Sequence, residues 1–273
     1  MSEARTALRE AAARFGFSAT PRLDAELLLA HALGISRDRL LLTLGDHVVP
    51  PGYAALVDRR ARQEPIAYIT GTRAFWTIEL QVAPGVLIPR ADSETLIEAA
   101  VAHFGAGPGP ARILDLGTGP GTLLLAALDQ WPQAEGLGID ASATALALAR
   151  RNAGALGMAA RARFAIGDWA GAVAGRFGLV LANPPYVATG AMLPSEVADY
   201  EPASALFAGE DGLDDYRRIA RQLAPLIAPG GVACVEIGAD QGRSAATLFE
   251  AAGLSVTVRR DLGDRDRCLV VTA

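Results

Sequence analysis

Apolar and polar positions in the first third of the chain repeat at helical spacing. Leucine and alanine recur every three or four residues between Pro21 and Gly34, with the proline in the first turn and the glycine after the last. The same spacing returns over residues 36–44, which begin with a serine that can cap the helix, and over residues 50–63. The pattern predicts a small helical bundle over residues 1–63.

Residues 64–110 combine a β pattern with a helix and a linker. β-branched and aromatic residues, with one leucine, stand on both sides of Gly71; they are Ile66, Tyr68, Ile69, Phe75, Trp76, Ile78, Leu80 and Val82. They predict a β-hairpin around the Gly71 turn. A helix is expected from Asp92 or Ser93 to about residue 104, followed by a linker rich in Gly and Pro at residues 105–110.

From residue 111 onward, short apolar runs alternate with helical segments. The predicted strands are residues 113–116, 136–140, 163–166, 177–182, 231–237, 253–259 and 267–272. This alternation predicts an α/β domain over residues 111–273, with a mostly parallel sheet and helices on both faces. Because crossovers between parallel strands are right-handed, the carboxyl ends of the strands, and any ligand, are expected along one edge of the sheet.

Composition excludes several kinds of chemistry. The 273 residues are 51% hydrophobic and 20% charged, as in ordinary globular proteins. All 25 basic residues are Arg, so the chain lacks the lysine that a Schiff base, a lysine general base or a P-loop requires. Three His and two Cys stand without the spacing of metal ligands, so we expect no metal site.

Charge and hydropathy bear on partners and location. A formal net charge of −5 and a pI near 5.3 argue against sequence-independent binding to duplex nucleic acid, which depends on neutralising phosphates. The charged N-terminal segment is unlike a signal peptide, and no apolar run approaches the ~18 residues of a membrane span. We therefore expect a cytoplasmic protein without a membrane partner.

A glycine-rich loop follows the first predicted strand of the α/β domain. After Asp115 and Leu116, it comprises Gly117, Thr118, Gly119, Pro120 and Gly121. Glycines allow a sharp turn and a close approach of the backbone to a ligand. The dinucleotide fingerprint would need a glycine at position 122, where Thr122 stands. The loop therefore suits a nucleoside cofactor without a pyrophosphate, the alternative being a plain strand-to-helix turn.

Acidic residues end the next two predicted strands. Asp140 stands about 20 residues after the loop, where a carboxylate can accept both hydroxyls of a ribose, although it can also cap a helix. Asp168 and Trp169 end the following strand and offer a carboxylate and an aromatic face to an adenine. The alternative for this pair is a capping aspartate beside a packed tryptophan.

The segment Asn183-Pro184-Pro185-Tyr186 directly follows an apolar strand. Two consecutive prolines make this turn stiff and remove its backbone donors. The Asn183 side-chain carbonyl and the Pro184 main-chain carbonyl can receive both hydrogens of a planar NH₂ group, while Tyr186 covers its π face. The alternative is a rigid polar turn at a strand end.

Together, DLGTGPG at residues 115–121, Asp140 and NPPY at residues 183–186 resemble class I S-adenosylmethionine-dependent methyltransferases that act on an amino or amide nitrogen. The segments PRLDAELLLAHALG, EPIAYITGTRAFW, LIPRADSE and DLGDRDR further resemble the bacterial release-factor glutamine methyltransferases, which are protein-(glutamine-N5) methyltransferases. This resemblance extends over about residues 21–271. The chain departs from the family at residues 89–94, where PRPDTE is more common than PRADSE, and at Pro120, where many members offer a backbone N–H.

The resemblance implies a Rossmann-like, mostly parallel seven-stranded sheet and a small N-terminal helical domain that recognises the protein substrate. It implies methyl transfer from S-adenosylmethionine, leaving S-adenosylhomocysteine, to the glutamine amide in the Gly-Gly-Gln motif of peptide chain release factors. The protein is expected to act as a monomer and without direct nucleic-acid contact.

The resemblance also implies roles for individual residues. The catalytic residues that it implies are Asn183, Pro184 and Tyr186. The same three residues and Pro185 are expected to bind the substrate. Cofactor contacts fall to Gly117, Thr118, Gly119, Pro120, Gly121, Asp140, Asp168, Trp169 and Asn183. An aromatic face such as that of Phe75 or Tyr186 is expected to favour the sulfonium cation.

Three other functions remain open from the sequence. One is a DNA methyltransferase, because NPPY presents the same acceptors to the amino group of a flipped adenine or cytosine. The acidic net charge of the chain argues against this function. A glutamine methyltransferase for a ribosomal protein shares the catalytic core, although LIPRADSE favours the release-factor branch. The N-terminal helices also fit a ribosome- or RNA-binding module with a vestigial core, against which the intact NPPY and glycine loop argue.

Overall fold

The computed structural model describes residues 3–171 and 173–273. The chain divides into two compact units. The smaller unit comprises residues 1–72 and 193–200, and the larger one comprises residues 73–192 and 201–273. No helix among the described residues is both long enough and apolar enough to cross a bilayer.

The smaller unit is helical. Its helices are α1 (Glu3–Ala13), α2 (Pro21–Leu33), α3 (Arg37–Leu42), α4 (Tyr53–Ala61), α5 (Ile66–Thr70) and α9 (Ser195–Ala198). The predicted ends of α2 are confirmed, with Pro21 in the first turn and Gly34 at φ +65° after the last. Ser36 caps α3 by accepting a hydrogen bond from the Arg39 N–H. Helix α1, which the analysis of spacing missed, buries Ala4, Leu8 and Ala11 in the core of this unit.

The two-stranded hairpin lies later in the chain than expected. It pairs β1 (Thr72–Phe75) with β2 (Ile78–Gln81) and turns at Trp76, whose φ is +54°. The prediction that Ile66, Tyr68 and Ile69 belong to its first strand is wrong, because they form α5, which Gly71 ends at φ +79°. Helical geometry lets Ile69 join the apolar core of the smaller unit, so packing overrides β propensity there.

The larger unit contains a seven-stranded sheet of order β5-β4-β3-β6-β7-β9-β8. The strands are β3 (Arg112–Leu116), β4 (Glu135–Asp140), β5 (Ala162–Ile166), β6 (Phe177–Ala182), β7 (Ile227–Glu236), β8 (Ser255–Arg260) and β9 (Asp266–Thr272). Strands β3 to β7 pair in parallel, and β9 is antiparallel to both of its neighbours. The predicted α/β fold with a mostly parallel seven-stranded sheet is confirmed.

Helices cover both faces of this sheet. They are α6 (Glu94–Phe104), α7 (Thr122–Gln130), α8 (Ala143–Ala155), α10 (Asp214–Leu223) and α11 (Gly242–Ala251), with short 3₁₀ turns at Ala91–Ser93, Ala203–Ala205 and Ala224–Leu226. Alternate residues of the strands enter two separate apolar clusters, one with α6 and α7 and the other with α10 and α11. The parallel strands therefore lie buried between two helical layers, and their carboxyl ends reach one edge.

Candidate functional site

A cavity of about 660 Å³ opens at the carboxyl ends of the parallel strands, entirely within the larger unit. Nine of the residues proposed from the sequence line it: Gly117, Thr118, Gly119, Pro120, Asp140, Asp168, Trp169, Asn183 and Pro185. Gly121, Pro184 and Tyr186 do not belong to its wall. The volume lies within the usual range for small-molecule sites.

The glycine loop is held tightly against the end of β4. The N–H groups of Gly117 and Thr118 both donate to the Ile139 carbonyl, at 2.8 and 2.9 Å. Gly117 has φ +70°, and a Cβ there would lie 3.0 Å from the Trp169 ring. Gly121 begins α7 at φ +89°, and a Cβ there would lie 2.9 Å from Leu125. Gly117 therefore permits close packing at the cavity wall, whereas Gly121 permits close packing of the helix.

Asp115 is buried at the base of this loop, yet it borders the cavity. Its Oδ2 accepts hydrogen bonds from the Thr118 hydroxyl at 2.6 Å and the Leu124 N–H at 3.2 Å. Its Oδ1 has no hydrogen-bond partner among the described residues. Burial raises the pKa of Asp115 to about 7. Asp115 stands two residues before Gly117 in the sequence, but no local pattern there assigns it to the site.

Asp140 fastens the loop to the next strand. One carboxylate oxygen accepts a hydrogen bond from the Gly119 N–H and the other from the Ser142 N–H, both at 2.8 Å. Each oxygen can accept a further hydrogen bond. Asp140 thus organises two backbone segments and still presents acceptors at the cavity wall.

Trp169 and Asp168 meet two residues of α10 that the sequence analysis missed. The Trp169 indole N–H donates to Asp215 Oδ1 at 3.0 Å, and the Trp169 backbone has φ +49°. Arg218 forms ion pairs with Asp168 and with Asp215. Asp215 and Arg218 also line the cavity. Asp215 and Arg218 belong to no recognisable sequence motif, because only the packing of α10 beside the sheet brings them to the site.

The NPPY segment turns away from the end of β6. Asn183 lies at the cavity wall, and its Nδ2 donates to the Ser93 hydroxyl oxygen at 3.2 Å. Pro184 is buried. Tyr186 packs partly against the sheet core, with its hydroxyl 3.5 Å from Glu236 Oε1. The role of Tyr186 as a cover for a substrate amide therefore stays a prediction.

Phe75 does not reach the cavity. Its ring is buried in the apolar cluster beneath α6 and α7. The prediction that Phe75 faces a sulfonium is wrong, because its strand directs the ring into the core. Within residues 3–171 and 173–273, no three His, Cys, Asp or Glu side chains form a group able to hold a metal ion.

Two families match different parts of the chain. The family described as PrmC N-terminal domain matches residues 6–71, and the one described as methyltransferase small domain matches residues 91–199. A solved structure of a methyltransferase from Pyrococcus furiosus shares the fold, with a TM-score of 0.53 at 17% identity over 70% of this chain and 87% of that one.

Curated relatives extend the similarity over most of the chain. The release factor glutamine methyltransferase of Rhodospirillum rubrum is 48% identical over 257 residues, which cover 92% of this chain and 78% of the relative. That of Cereibacter sphaeroides is 46% identical over 250 residues, covering 89% of this chain and 88% of the relative. With such identity over nearly the whole length, the chain belongs to the release factor glutamine methyltransferase family.

Proposed function

We propose that the protein transfers a methyl group from S-adenosylmethionine to the side-chain amide nitrogen of the glutamine in the Gly-Gly-Gln motif of peptide chain release factors. The position of Asn183 carries this proposal, since it brings an oriented amide to the wall of the cavity that the glycine loop also lines. Membership of the family supplies the substrate class.

The residues of the cavity fit S-adenosylmethionine. The cofactor supplies a methyl group on a positively charged sulfur and leaves as S-adenosylhomocysteine. The Asp140 carboxylate accepts hydrogen bonds from the ribose hydroxyls. Trp169 and Asp168 border the adenine. The unpartnered Oδ1 of buried Asp115 is an acceptor for the positively charged amino group of the cofactor, which in turn favours the ionised carboxylate.

The NPPY segment holds the glutamine amide. Asn183 Oδ1 accepts one hydrogen bond from it at the cavity wall, and the carbonyl of Pro184, a residue outside that wall, accepts the other. The rigid proline pair preserves the geometry of the two acceptors. An amide nitrogen is a weak nucleophile, so alignment with the methyl group is essential; positioning of two reactants can supply ~7–11 kcal/mol. The oriented acceptors also stabilise positive charge that develops on the nitrogen. No strong base is required before methyl transfer, and the methylated, positively charged nitrogen then releases one of its two protons to solvent.

The N-terminal helices recognise the folded release factor, since a domain-sized partner needs more surface than a single cleft. In this proposal the enzyme acts as a monomer, without a nucleic-acid or membrane partner. Sedimentation of the protein alone and with release factor measures both the oligomeric state and the complex.

Mass spectrometry tests the activity directly. Intact release factor is incubated with enzyme and S-adenosylmethionine, beside release factor whose Gly-Gly-Gln glutamine is replaced by alanine, ribosomal proteins and duplex DNA. We expect one added methyl group on the peptide that contains this glutamine and none in the alanine variant. Methylation of DNA or a ribosomal protein in place of the release factor would overturn the proposal.

A further inference from the structure

Three side chains of α10 each bind one residue of a short turn that follows β5, within the larger unit. The three contacts join Arg218 to Asp168, Asp215 to Trp169 and Gln222 to Ala170. The Trp169 indole N–H donates to Asp215 Oδ1 at 3.0 Å, and the Ala170 backbone N–H donates to Gln222 Oε1 at 2.9 Å. Spacings of three and four residues place the three α10 side chains, here called the α10 clamp, on one face of the helix.

The backbone of Trp169 needs such support. Its φ of +49° lies in the left-handed region, which is unfavourable for a bulky side chain and persists only where the surrounding structure imposes it. On its other side, the ring lies against the glycine loop, where a Cβ on Gly117 would come within 3.0 Å of it. The indole is therefore held between the loop after β3 and the Asp215 carboxylate on α10.

Asp215 connects the two ends of this arrangement. The oxygen that accepts from Trp169 also accepts from Arg218 Nη1 at 3.2 Å, and Arg218 pairs through Nη2 with Asp168. The Asp215 side chain is only 14% exposed, so water competes little for these hydrogen bonds. Removal of the Asp215 carboxylate should consequently free the indole and loosen the ion pair of Asp168 at the same time.

We propose that the α10 clamp consists of positioning residues that hold residues 168–170, and with them the Trp169 ring, in the conformation that receives the adenine of the cofactor. This inference rests on the proposed function, which places the adenine beside this turn. A turn that is already held in its binding conformation need not be ordered by the ligand, and the affinity is higher by that saving.

Binding of S-adenosylhomocysteine to the purified protein tests the inference. Asp215→Ala should weaken binding about 10-fold, the equivalent of one ordinary hydrogen bond. Asp215→Asn keeps an oxygen that can accept from both Trp169 and Arg218, and it should recover most of the affinity. Asp214→Ala is the matched control, because Asp214 is an exposed aspartate in the same first turn of α10 and lies outside the cavity wall.

Gln222 distinguishes positioning from direct contact, because it does not line the cavity. Gln222→Ala should weaken cofactor binding in the same direction as Asp215→Ala, whereas Arg221→Ala, at the exposed neighbouring position, should bind normally. In turnover with release factor, the loss should appear as a higher KM for S-adenosylmethionine and not as a lower kcat. A simple loss of folded enzyme would instead lower kcat.

A double-mutant cycle tests whether Asp215 acts through the tryptophan. Trp169→Phe keeps an aromatic ring but removes the N–H donor. In that background Asp215→Ala should cost clearly less affinity than in the wild type, because effects that act through one shared contact do not add. The same loss in both backgrounds would mean that Asp215 contacts the cofactor directly, and it would overturn the inference.

A second measurement needs no ligand and no activity. The indole N–H resonance of Trp169, identified by its loss in Trp169→Phe, should move upfield in Asp215→Ala and stay near its wild-type position in Asp215→Asn. An unchanged resonance in Asp215→Ala would contradict the inference.

Failure of the inference and failure of the proposed function give different results. Wild-type affinity for S-adenosylhomocysteine in Asp215→Ala or in Gln222→Ala would overturn the inference and leave the proposed function intact. Binding of S-adenosylhomocysteine by the wild type without methylation of release factor would overturn the proposed function and leave the inference in place.

Discussion

The Gly119 N–H donates a 2.8 Å hydrogen bond to the Asp140 carboxylate, and this bond joins the glycine loop after β3 to the end of β4. Two motifs that the sequence presents separately therefore form one structural element. The Asp140 carboxylate also accepts a hydrogen bond from the N–H of Ser142, the residue that caps α8. A change at Asp140 should consequently affect the cofactor in two ways, through the ribose and through the loop.

Asp140→Ala should weaken binding of S-adenosylhomocysteine by about 1–3 kcal/mol, because it removes charged acceptors. Calorimetry with the purified variant measures the loss. Asp129→Ala, at an exposed aspartate near the end of α7 and outside the cavity, is the matched control and should bind normally. If both variants bind S-adenosylhomocysteine with equal affinity, Asp140 does not bind the ribose.

Asn183→Ala should leave cofactor binding largely intact and lower turnover at least ~10²-fold, comparable to the loss of one preorganised hydrogen bond in a transition state. Asn183→Asp should fail nearly as badly, because Asn183 Nδ2 donates to Ser93 and a carboxylate cannot replace that donor. Single-turnover rates with release factor measure both effects. Substantially higher activity in the aspartate variant would mean that acceptor strength alone matters.

The unliganded protein should lose stability as pH rises toward neutrality through Asp115. Burial raises the pKa of this carboxyl from 3.8 to about 7, so between these values the folded state binds a proton that the unfolded state has released. The free energy of unfolding then falls by up to roughly 1.4 kcal/mol per pH unit and levels off above the folded pKa.

Urea unfolding between about pH 5 and pH 8 separates this contribution from those of other groups. The stability of Asp115→Asn relative to the wild type should increase with pH over the acidic part of that range. A difference that is constant with pH would show that Asp115 is ionised throughout.

Two ion pairs in the smaller unit should differ in their contribution to stability. Asp24 and Arg60 pair at 2.9 Å with side chains only 8% and 5% exposed, whereas Asp58 and Arg14 pair at 2.7 Å with 54% and 48% exposed. Asp24→Ala should cost about 3 kcal/mol, at the lower end for a broken buried pair because Arg60 retains Glu196. Asp58→Ala should cost no more than ~1 kcal/mol. Denaturant titrations measure the free energy of unfolding of both variants. Equal losses would show that the buried pair stabilises the protein no more than the exposed pair does.

Apolar side chains on the smaller unit should contact the release factor. Leu42 is 85% exposed and Val48 is 72% exposed, so both offer apolar side-chain surface that a protein partner can bury. The double change Leu42→Asp and Val48→Asp should raise KM for intact release factor without changing kcat or cofactor affinity. Leu262→Asp, at a leucine on the larger unit that is 98% exposed, serves as the control. An unchanged KM in the double variant would place recognition elsewhere.

Much of the fold and the principal motifs follow from local sequence. The alternation of short apolar runs with helical segments predicts the α/β sheet and its helical layers. In the structure, successive side chains of the strands enter the two apolar clusters on opposite faces of that sheet. The glycine loop, Asp140 and NPPY are recognisable because backbone conformation and strand ends depend mainly on neighbouring residues. The same local signals also identify the family.

Tertiary structure alone decided where distant segments meet. Ile69 has strand propensity, yet burial in the smaller unit makes it helical. Ser93 reaches Asn183 across 90 residues, and Asp215 reaches Trp169 across 46. Such contacts depend on the order of strands in the sheet and on the helices packed against it, which no local pattern encodes. The sequence by itself therefore determined which groups can do the chemistry, while the packing of the sheet and helices determined which other groups orient them.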